Sequence, residues 1–173
     1  IALPGFWKEG DTWAVRFSPT KVGNWTYTIT CKDASNTGLN GSGTIEAVAS
    51  TSNVELHKRG FVKIVPNERI YRYDDGTPFF WLGDTNWQAP TNVTTKYCNF
   101  PGCNCGNQLK HIVDDRIAKG FNVFQTYFVP GSGNGEKSVW SDSKYEKPNT
   151  EVFNTHVDEM FKYVYEQGMV IAM

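Results

Sequence analysis

Apolar and polar residues alternate along the first 50 positions of the chain. Every second residue is apolar over residues 12–18, and the alternation resumes over residues 25–31. A period of two places one set of side chains on each face of a strand, so each segment predicts a half-buried β-strand. The turn residues in 19–24 predict that the two strands form an antiparallel hairpin. A third strand is predicted over 44–48, and three such strands indicate part of an all-β sandwich.

The pattern changes after a small polar stretch at residues 49–53, which predicts a domain boundary. A short hairpin then ends in the turn Asp74-Asp75-Gly76 and leads to the apolar run from Phe79 to Gly83. A run that is apolar on both faces is typical of a buried parallel strand. The later elements are predicted to alternate between helix and strand, with a helix over 108–119, a strand over 121–128, a helix over 154–167 and a strand over 169–173.

This order of strand, helix, strand, helix and strand predicts a parallel sheet with helical crossovers. Two folds share that order, namely the doubly wound nucleotide-binding sheet and the (β/α)8 barrel. The glycines at 131, 133 and 135 lie in a long loop with no helix directly after them, so they do not form a dinucleotide-binding motif. Their placement favours the barrel.

Composition narrows the function classes. The chain has 17 basic and 18 acidic residues, with no stripe of Lys or Arg that would neutralise phosphates, so a nucleic-acid partner is not expected. No apolar run approaches the roughly 20 residues of a membrane span. Aromatic residues make up 14% of the chain, and flat aromatic faces stack on sugar rings as well as filling cores.

Residues 73–87, with the sequence YDDGTPFFWLGDTNW, resemble the first barrel strand of the apiosidase-like glycoside hydrolases and the turn before it. Residues 119–125 are similar to the second strand of that family, and residues 154–173 to its second helix and third strand. Upstream, Gly5-Phe6-Trp7 and residues 13–19 and 23–27 are similar to the immunoglobulin-like domain that commonly precedes such barrels. The two resemblances together cover nearly the whole chain.

The resemblance implies a multidomain β plus α/β fold. Residues 1–50 would be the C-terminal part of an immunoglobulin-like β-sandwich, and residues 55–173 the first three strands of a TIM (β/α)8 barrel. The chain starts at Ile1 without an initiator Met and stops at Met173 within an apolar run, so we expect a fragment that is truncated at both ends. Five barrel strands would then be missing.

The family likeness also implies a function. We expect part of a secreted glycoside hydrolase, extracellular or periplasmic, whose substrate is an oligo- or polysaccharide of complex plant or microbial origin. The resemblance places the catalytic carboxylate pair on later strands beyond Met173, so the catalytic residues are not assigned and the fragment alone is expected to be inactive. No cofactor is expected.

Candidate substrate-binding residues follow from the rule that barrel active sites lie at the carboxyl ends of the strands. Asp84 would hydrogen-bond a sugar or orient a catalytic group, although an Asp there also commonly caps a turn. Trp87 would stack on a sugar or plug the barrel mouth. Gln125 and Tyr127 share one face by period two and would point into the cleft. Trp140, in the long loop, is a weaker candidate of the same kind.

Other titratable and sulfur-containing groups are given structural interpretations. The acid pairs Asp74-Asp75 and Asp114-Asp115 are interpreted as a turn and as a solvated helix face. The three His residues have no ligand spacing, and the cysteines lack the paired C-x2-C of zinc sites, so no metal is expected. In a secreted chain, Cys98, Cys103 and Cys105 are disulfide candidates, with Cys98 pairing to either of the other two.

Two alternatives remain open. The chain could belong to a non-catalytic carbohydrate-binding or adhesion module that uses exposed aromatic residues for recognition only. It could also belong to a degenerate barrel without activity. Inward-facing Asp or Glu residues at the ends of later strands would distinguish a hydrolase from both.

Overall fold

The computed structural model describes residues 1–87, 89–92, 108–127, 139–142 and 146–173. The chain divides into two compact units, Ile1–Thr51 and Ser52–Met173. The disulfide candidates Cys98, Cys103 and Cys105 lie outside the described residues, as do parts of the two loops that follow the first two parallel strands. Within the described part, no helix is long and apolar enough to cross a membrane.

The first unit consists of two antiparallel strand pairs. Strand β1 (Phe6–Glu9) pairs with β2 (Thr12–Ala14), and β3 (Gly23–Ile29) pairs with β4 (Gly41–Ala47). A short 3-10 turn, Thr37–Leu39, lies between β3 and β4. The unit therefore contains two separate two-stranded sheets among its described residues.

The predicted hairpin between residues 12–18 and 25–31 is wrong. Strand β2 ends at Ala14 and pairs backward with β1, and β3 pairs forward with β4. The turn at Gly10 explains why β2 pairs with β1. Gly10 adopts a positive φ of 50°, and its carbonyl accepts a hydrogen bond from Trp7 Nε1 at 2.8 Å. Burial differs as well, since Trp13, Tyr27 and Ile29 are exposed rather than packed inward.

The second unit begins with a one-turn helix, α1 (Glu55–Lys58), and an antiparallel meander. The meander contains β5 (Val62–Ile64), β6 (Tyr71–Tyr73) and β7 (Pro78–Phe79) in that order. The turn between β6 and β7 holds the acid pair: Asp75 Oδ1 accepts the Thr77 N–H at 2.8 Å, and Gly76 has a φ of 87°. The interpretation of Asp74-Asp75 as turn residues is confirmed.

A three-stranded parallel sheet follows the meander. It contains β8 (Gly83–Thr85), β9 (Val123–Gln125) and β10 (Val170–Ala172), and their spatial order is the order of the sequence. Gly83 is in register with Val123, which is in register with Val170. The three strands are neighbours and parallel, as predicted. The described residues form no closed barrel.

The first parallel strand lies later than predicted. The apolar run Phe79–Gly83 is not one buried strand, because Pro78 and Phe79 pair antiparallel with β6 and Phe80 is 78% exposed. The parallel strand starts only at Gly83, and Asp84 therefore lies inside the strand instead of following its end. Hydrophobicity alone could not separate these two short strands, because period-two alternation is absent from the run.

Helices connect the parallel strands. Helix α2 (Ala89–Asn92) and α3 (Gln108–Ala118) lie between β8 and β9, and α3 confirms the helix predicted over 108–119. Between β9 and β10 a continuous helical segment contains α4 (Thr150–Val152), a π-helical turn (Phe153–Val157) and α5 (Asp158–Glu166). This segment starts earlier than predicted because Asn149 caps it, its side chain accepting the Val152 N–H at 3.2 Å.

The parallel sheet packs on both faces. Phe124 faces the helices, where the buried cluster is completed by Ala89, Leu109, Val113, Met160, Val164 and Met169. The adjacent residue Val123 faces the opposite way and packs with Tyr73 and Phe79 of the meander. Alternation along β9 therefore defines a helix side and a meander side for every residue of the sheet.

Candidate functional site

The carboxyl ends of the parallel strands meet at one edge of the sheet. We call this edge the carboxyl rim and define it by Asn86, Trp87, Gln125, Thr126 and Tyr127. Backbone hydrogen bonds extend past the strands here, from the Asn86 N–H to Gln125 O at 2.7 Å and from the Tyr127 N–H to Trp87 O at 3.2 Å. These bonds hold the two chain segments side by side. The backbone positions from which the side chains of the rim project are therefore fixed.

Two aromatic rings contact each other at the carboxyl rim. Trp87 and Tyr127 lie edge to face, with ring centroids 6.2 Å apart and an interplanar angle of 89°. Both are largely solvent-accessible, Trp87 at 56% and Tyr127 at 49% exposure. A perpendicular pair keeps ring faces open while each ring limits the motion of the other, which suits stacking on an apolar sugar face.

Gln125 lies two residues before Tyr127 at the end of β9. It is the last residue of β9, is half-buried and alternates with Phe124, so it belongs to the meander side of the sheet together with Thr85, its partner in register. A primary amide can both donate and accept hydrogen bonds, as sugar hydroxyls can. The structure thus brings Trp87, Gln125 and Tyr127 together at one edge.

Asp84 belongs to the opposite side of the sheet. It is in register with Phe124, and its Oδ2 accepts a short hydrogen bond from Arg116 Nε on α3, while Oδ1 accepts the Thr85 N–H at 2.9 Å. Both partners of this ion pair are half-buried. The Asp84 carboxylate raises the pKa of the Arg116 guanidinium by accepting its hydrogen bond. Both predicted roles of Asp84, a direct sugar contact and the orientation of a catalytic group, stay predictions.

Arg116 connects several parts of this side. Its Nη1 also donates to Asp115, and its guanidinium lies over the Phe121 ring at 5.6 Å from the centroid. Asp115 in turn pairs with Lys119, and that bond lowers the pKa of the Asp115 carboxyl. The network attaches the middle of β8 to the last turns of α3.

Trp140 is positioned by a different local structure. It forms an isolated antiparallel bridge with Pro148 and is half-buried, while neighbouring bonds join the Ser141 N–H to Lys147 O at 2.8 Å. Much of the surrounding loop lies outside the described residues. Its predicted role in substrate binding stays a prediction.

Sequence reasoning missed two residues of the rim. Thr126 is 1% exposed, and its Oγ1 donates to Asn86 O at 3.0 Å. Asn86 has a buried Nδ2 that finds no hydrogen-bond partner in the described structure. The available signal for Thr126 was the polar pair Gln125-Thr126 next to the apolar residues Val123 and Phe124, because buried polar residues require partners.

No group of three or more His, Cys, Asp or Glu side chains that could hold a metal ion occurs among the residues that the structure describes. His57 and His156 differ in how they are used within the structure. His57 bonds Ser52 Oγ and Tyr165 O at 3.0 and 2.9 Å, whereas His156 is 4% exposed and therefore buried, which the sequence did not predict.

Comparison with known proteins gives two family matches. Residues 65–173 match the model described as "Apiosidase-like, catalytic domain", and residues 1–32 match a domain of unknown function, DUF5060. No curated protein gives a significant match. A solved structure titled "Glycoside hydrolase" aligns at 18% identity with a TM-score of 0.47, covering 65% of this chain and 24% of that one. This chain thus spans about a quarter of that protein's length. Because the catalytic-domain model matches more than half of the residues, the chain belongs to the apiosidase-like family of glycosidases.

Proposed function

We propose that this chain is part of a secreted glycoside hydrolase, extracellular or periplasmic, that binds complex plant or microbial polysaccharide at the carboxyl rim and hydrolyses its glycosidic bonds. The observation that carries the proposal is the exposed perpendicular pair of Trp87 and Tyr127 at the carboxyl ends of adjacent parallel strands. In barrel enzymes that end of the sheet carries the active site. Membership of the apiosidase-like family supports a glycan as the ligand.

The proposal includes a finer description of the fold. Residues 55–173 would form the first three strands of a TIM barrel, and residues 1–50 the C-terminal part of an immunoglobulin-like sandwich. The barrel is supported by β8, β9 and β10 being parallel neighbours in sequence order, with helical segments between them. The sandwich is supported by two antiparallel pairs of short strands with apolar side chains that remain exposed.

Each rim residue has a chemical role in this proposal. Trp87 and Tyr127 stack on the sugar rings, and the Gln125 amide bonds a hydroxyl group. Asp84, held by Arg116, orients the end of β8 from the helix side. Trp140 adds a subsite from its loop.

Hydrolysis requires two carboxyl groups about 5 to 10 Å apart on either side of the scissile bond. The acids described near the sheet are committed elsewhere: Asp84 pairs with Arg116, and Asp74 and Asp75 pair with Lys63 and Arg59. We therefore propose that the catalytic pair is supplied by barrel strands beyond Met173.

The experiment replaces Trp87 by Ala in the full-length natural protein and measures hydrolysis and binding of pectin, xylan, arabinogalactan and mannan. Loss of the ring should raise the dissociation constant for the bound polysaccharide roughly tenfold or more, because a buried aromatic contact of this size contributes about 1.5–3 kcal/mol. Trp13→Ala is the matched control, since Trp13 is 53% exposed but lies in the other unit.

The alternative function, a non-catalytic carbohydrate-binding or adhesion module, is favoured by the exposed Trp7 and Trp13, which lie directly opposite each other on β1 and β2. It predicts binding without release of new reducing ends. It also predicts that Trp13→Ala weakens binding and Trp87→Ala does not, which would contradict our proposal.

A further inference from the structure

The backbone of Asn86 is held by three hydrogen bonds. Its N–H donates to Gln125 O at 2.7 Å, and its carbonyl accepts from Thr126 Oγ1 at 3.0 Å and from the Ala89 N–H at 3.1 Å. These contacts join β8, β9 and the start of α2 at the carboxyl rim. The position from which the Asn86 side chain projects is therefore fixed.

The side chain of Asn86, unlike its backbone, has a hydrogen-bond donor without a partner in the described structure. Nδ2 is buried, yet it has no hydrogen-bond partner in the described structure. Buried donors are nearly always paired, and leaving one unpaired costs free energy, so each exception calls for an explanation. At the edge where we propose that glycan binds, an unused donor suggests a partner that arrives with the ligand.

Asn122, one strand away, shows what a structural asparagine looks like in this sheet. Its Nδ2 donates to Phe80 O at 2.7 Å, and its Oδ1 accepts the Leu82 N–H at 3.0 Å. Both ends of that amide are used to attach the chain before β8 to the start of β9. The two residues share one chemistry, but within the described structure Nδ2 is paired in Asn122 and unpaired in Asn86.

We propose that the Asn86 amide donates a hydrogen bond from Nδ2 to a hydroxyl or ring oxygen of a glycan bound beside Trp87. This inference rests on the proposed function. Asn86 as a whole is only half-buried, and its terminal torsion is soft, so rotation of the amide can bring Nδ2 to the surface when an acceptor arrives.

The test compares Asn86→Ala with Asn122→Ala in the full-length natural protein, using whichever of pectin, xylan, arabinogalactan and mannan the wild type hydrolyses fastest. Asn86→Ala should raise KM roughly threefold to tenfold, the effect of one lost hydrogen bond. It should leave the urea denaturation midpoint unchanged or raise it, because the variant removes a buried donor that has no partner in the described structure. Asn122→Ala should do the reverse, lowering the denaturation midpoint while KM of the folded enzyme stays the same. Asn86→Asp, which keeps the shape but loses the donor, should raise KM at least as much.

Two results would overturn the inference alone. One is wild-type KM in both Asn86 variants, and the other is a fall in denaturation midpoint for Asn86→Ala as large as that for Asn122→Ala, which would mean that the amide serves the fold. Failure of the wild type to bind or hydrolyse any of the four polysaccharides would instead overturn the proposed function, and this inference with it.

Discussion

Gly120 and Gly168 follow helices α3 and α5, and both have left-handed backbone conformations. Their φ angles are 82° and 92°, which L-residues with a Cβ adopt only at a cost. Their surroundings differ, however. A Cβ added to Gly120 would meet nothing within 4 Å, whereas a Cβ added to Gly168 would lie 2.6 Å from Val54 Cγ1. Gly168 is thus required by both its conformation and its close contact with the start of α1.

Alanine substitutions at Gly120 and at Gly168 separate the cost of the left-handed conformation from the cost of the close contact with Val54. We expect Gly120→Ala to lower the free energy of unfolding by about 1–2 kcal/mol, the cost of the left-handed conformation alone. Gly168→Ala should cost about 1–3 kcal/mol more, because the added methyl group overpacks the contact with Val54. Urea denaturation of both variants checks this. Equal losses would show that the Val54 contact relaxes freely.

Single residues also show where sequence reasoning reached its limit. The placement of Trp87, Gln125 and Tyr127 at one edge followed from the rule that parallel strands end together, and the structure brings these three residues together. The partner of Asp84 did not follow, because Arg116 is 32 residues away and no local pattern couples them. The unpaired Nδ2 of Asn86 is likewise a property of the packed rim rather than of the sequence.

Helices α3 and α5 are joined by a polar contact at their surface. Tyr163 donates from its hydroxyl to Asp114 Oδ1 at 2.5 Å, and Lys110 Nζ bonds Asp114 Oδ2, also at 2.5 Å. The Lys110 bond is the larger cause of the lowered pKa of the Asp114 carboxyl, and the Tyr163 bond adds to it. The acid interpreted as a solvated helix residue therefore also links two helices.

This link gives a pH-dependent contribution to stability. Because the pKa of Asp114 is lowered in the folded state, its contribution is complete above the unfolded pKa near 4 and is lost as the pH falls through the folded pKa. Tyr163→Phe should cost about 1 kcal/mol at pH 7, since the contact is partly solvent-exposed, and progressively less below about pH 4. Urea denaturation between pH 7 and pH 2.5 measures the difference. A cost that does not change with pH would exclude Asp114 as the titrating group.

Elements were predictable where periodicity was long and ambiguous where it was short. Helix α3 followed from a pattern of more than ten residues, and the order of the three parallel strands followed from the alternation of strands with helices along the chain. The boundary between β7 and β8 did not, because one apolar run contains an antiparallel strand followed by a parallel one. The pairing of β1 with β2 depends on the Gly10 turn, which the alternation alone does not reveal.

The molecule as a whole contains a parallel sheet whose two outer strands, β8 and β10, each pair on one side only within the described residues. A barrel buries both faces and all edges of its sheet. The carboxylates described near that sheet already have basic partners. The open sheet edges and the paired carboxylates both affect whether the 173-residue chain alone can hydrolyse glycosidic bonds.

We expect the purified 173-residue chain to show no glycosidase activity, because the proposed carboxylate pair lies on strands beyond it. The assay is release of reducing ends from pectin, xylan, arabinogalactan and mannan, with the full-length natural protein as the positive control. Turnover by the 173-residue chain that disappears on replacing Asp84 with Asn would place a catalytic carboxylate within these residues and contradict the expectation.

The order of strands in the parallel sheet has a consequence for how the protein is made. Because β8, β9 and β10 are neighbours in the same order as in the sequence, each strand that leaves the ribosome finds its partner already synthesised. The sheet can therefore grow by accretion, one strand and helix at a time, without waiting for a distant segment. Each new strand pairs with the open edge of the previous one, so the number of unpaired edges stays at two, the outer edge of β8 and the edge of the newest strand.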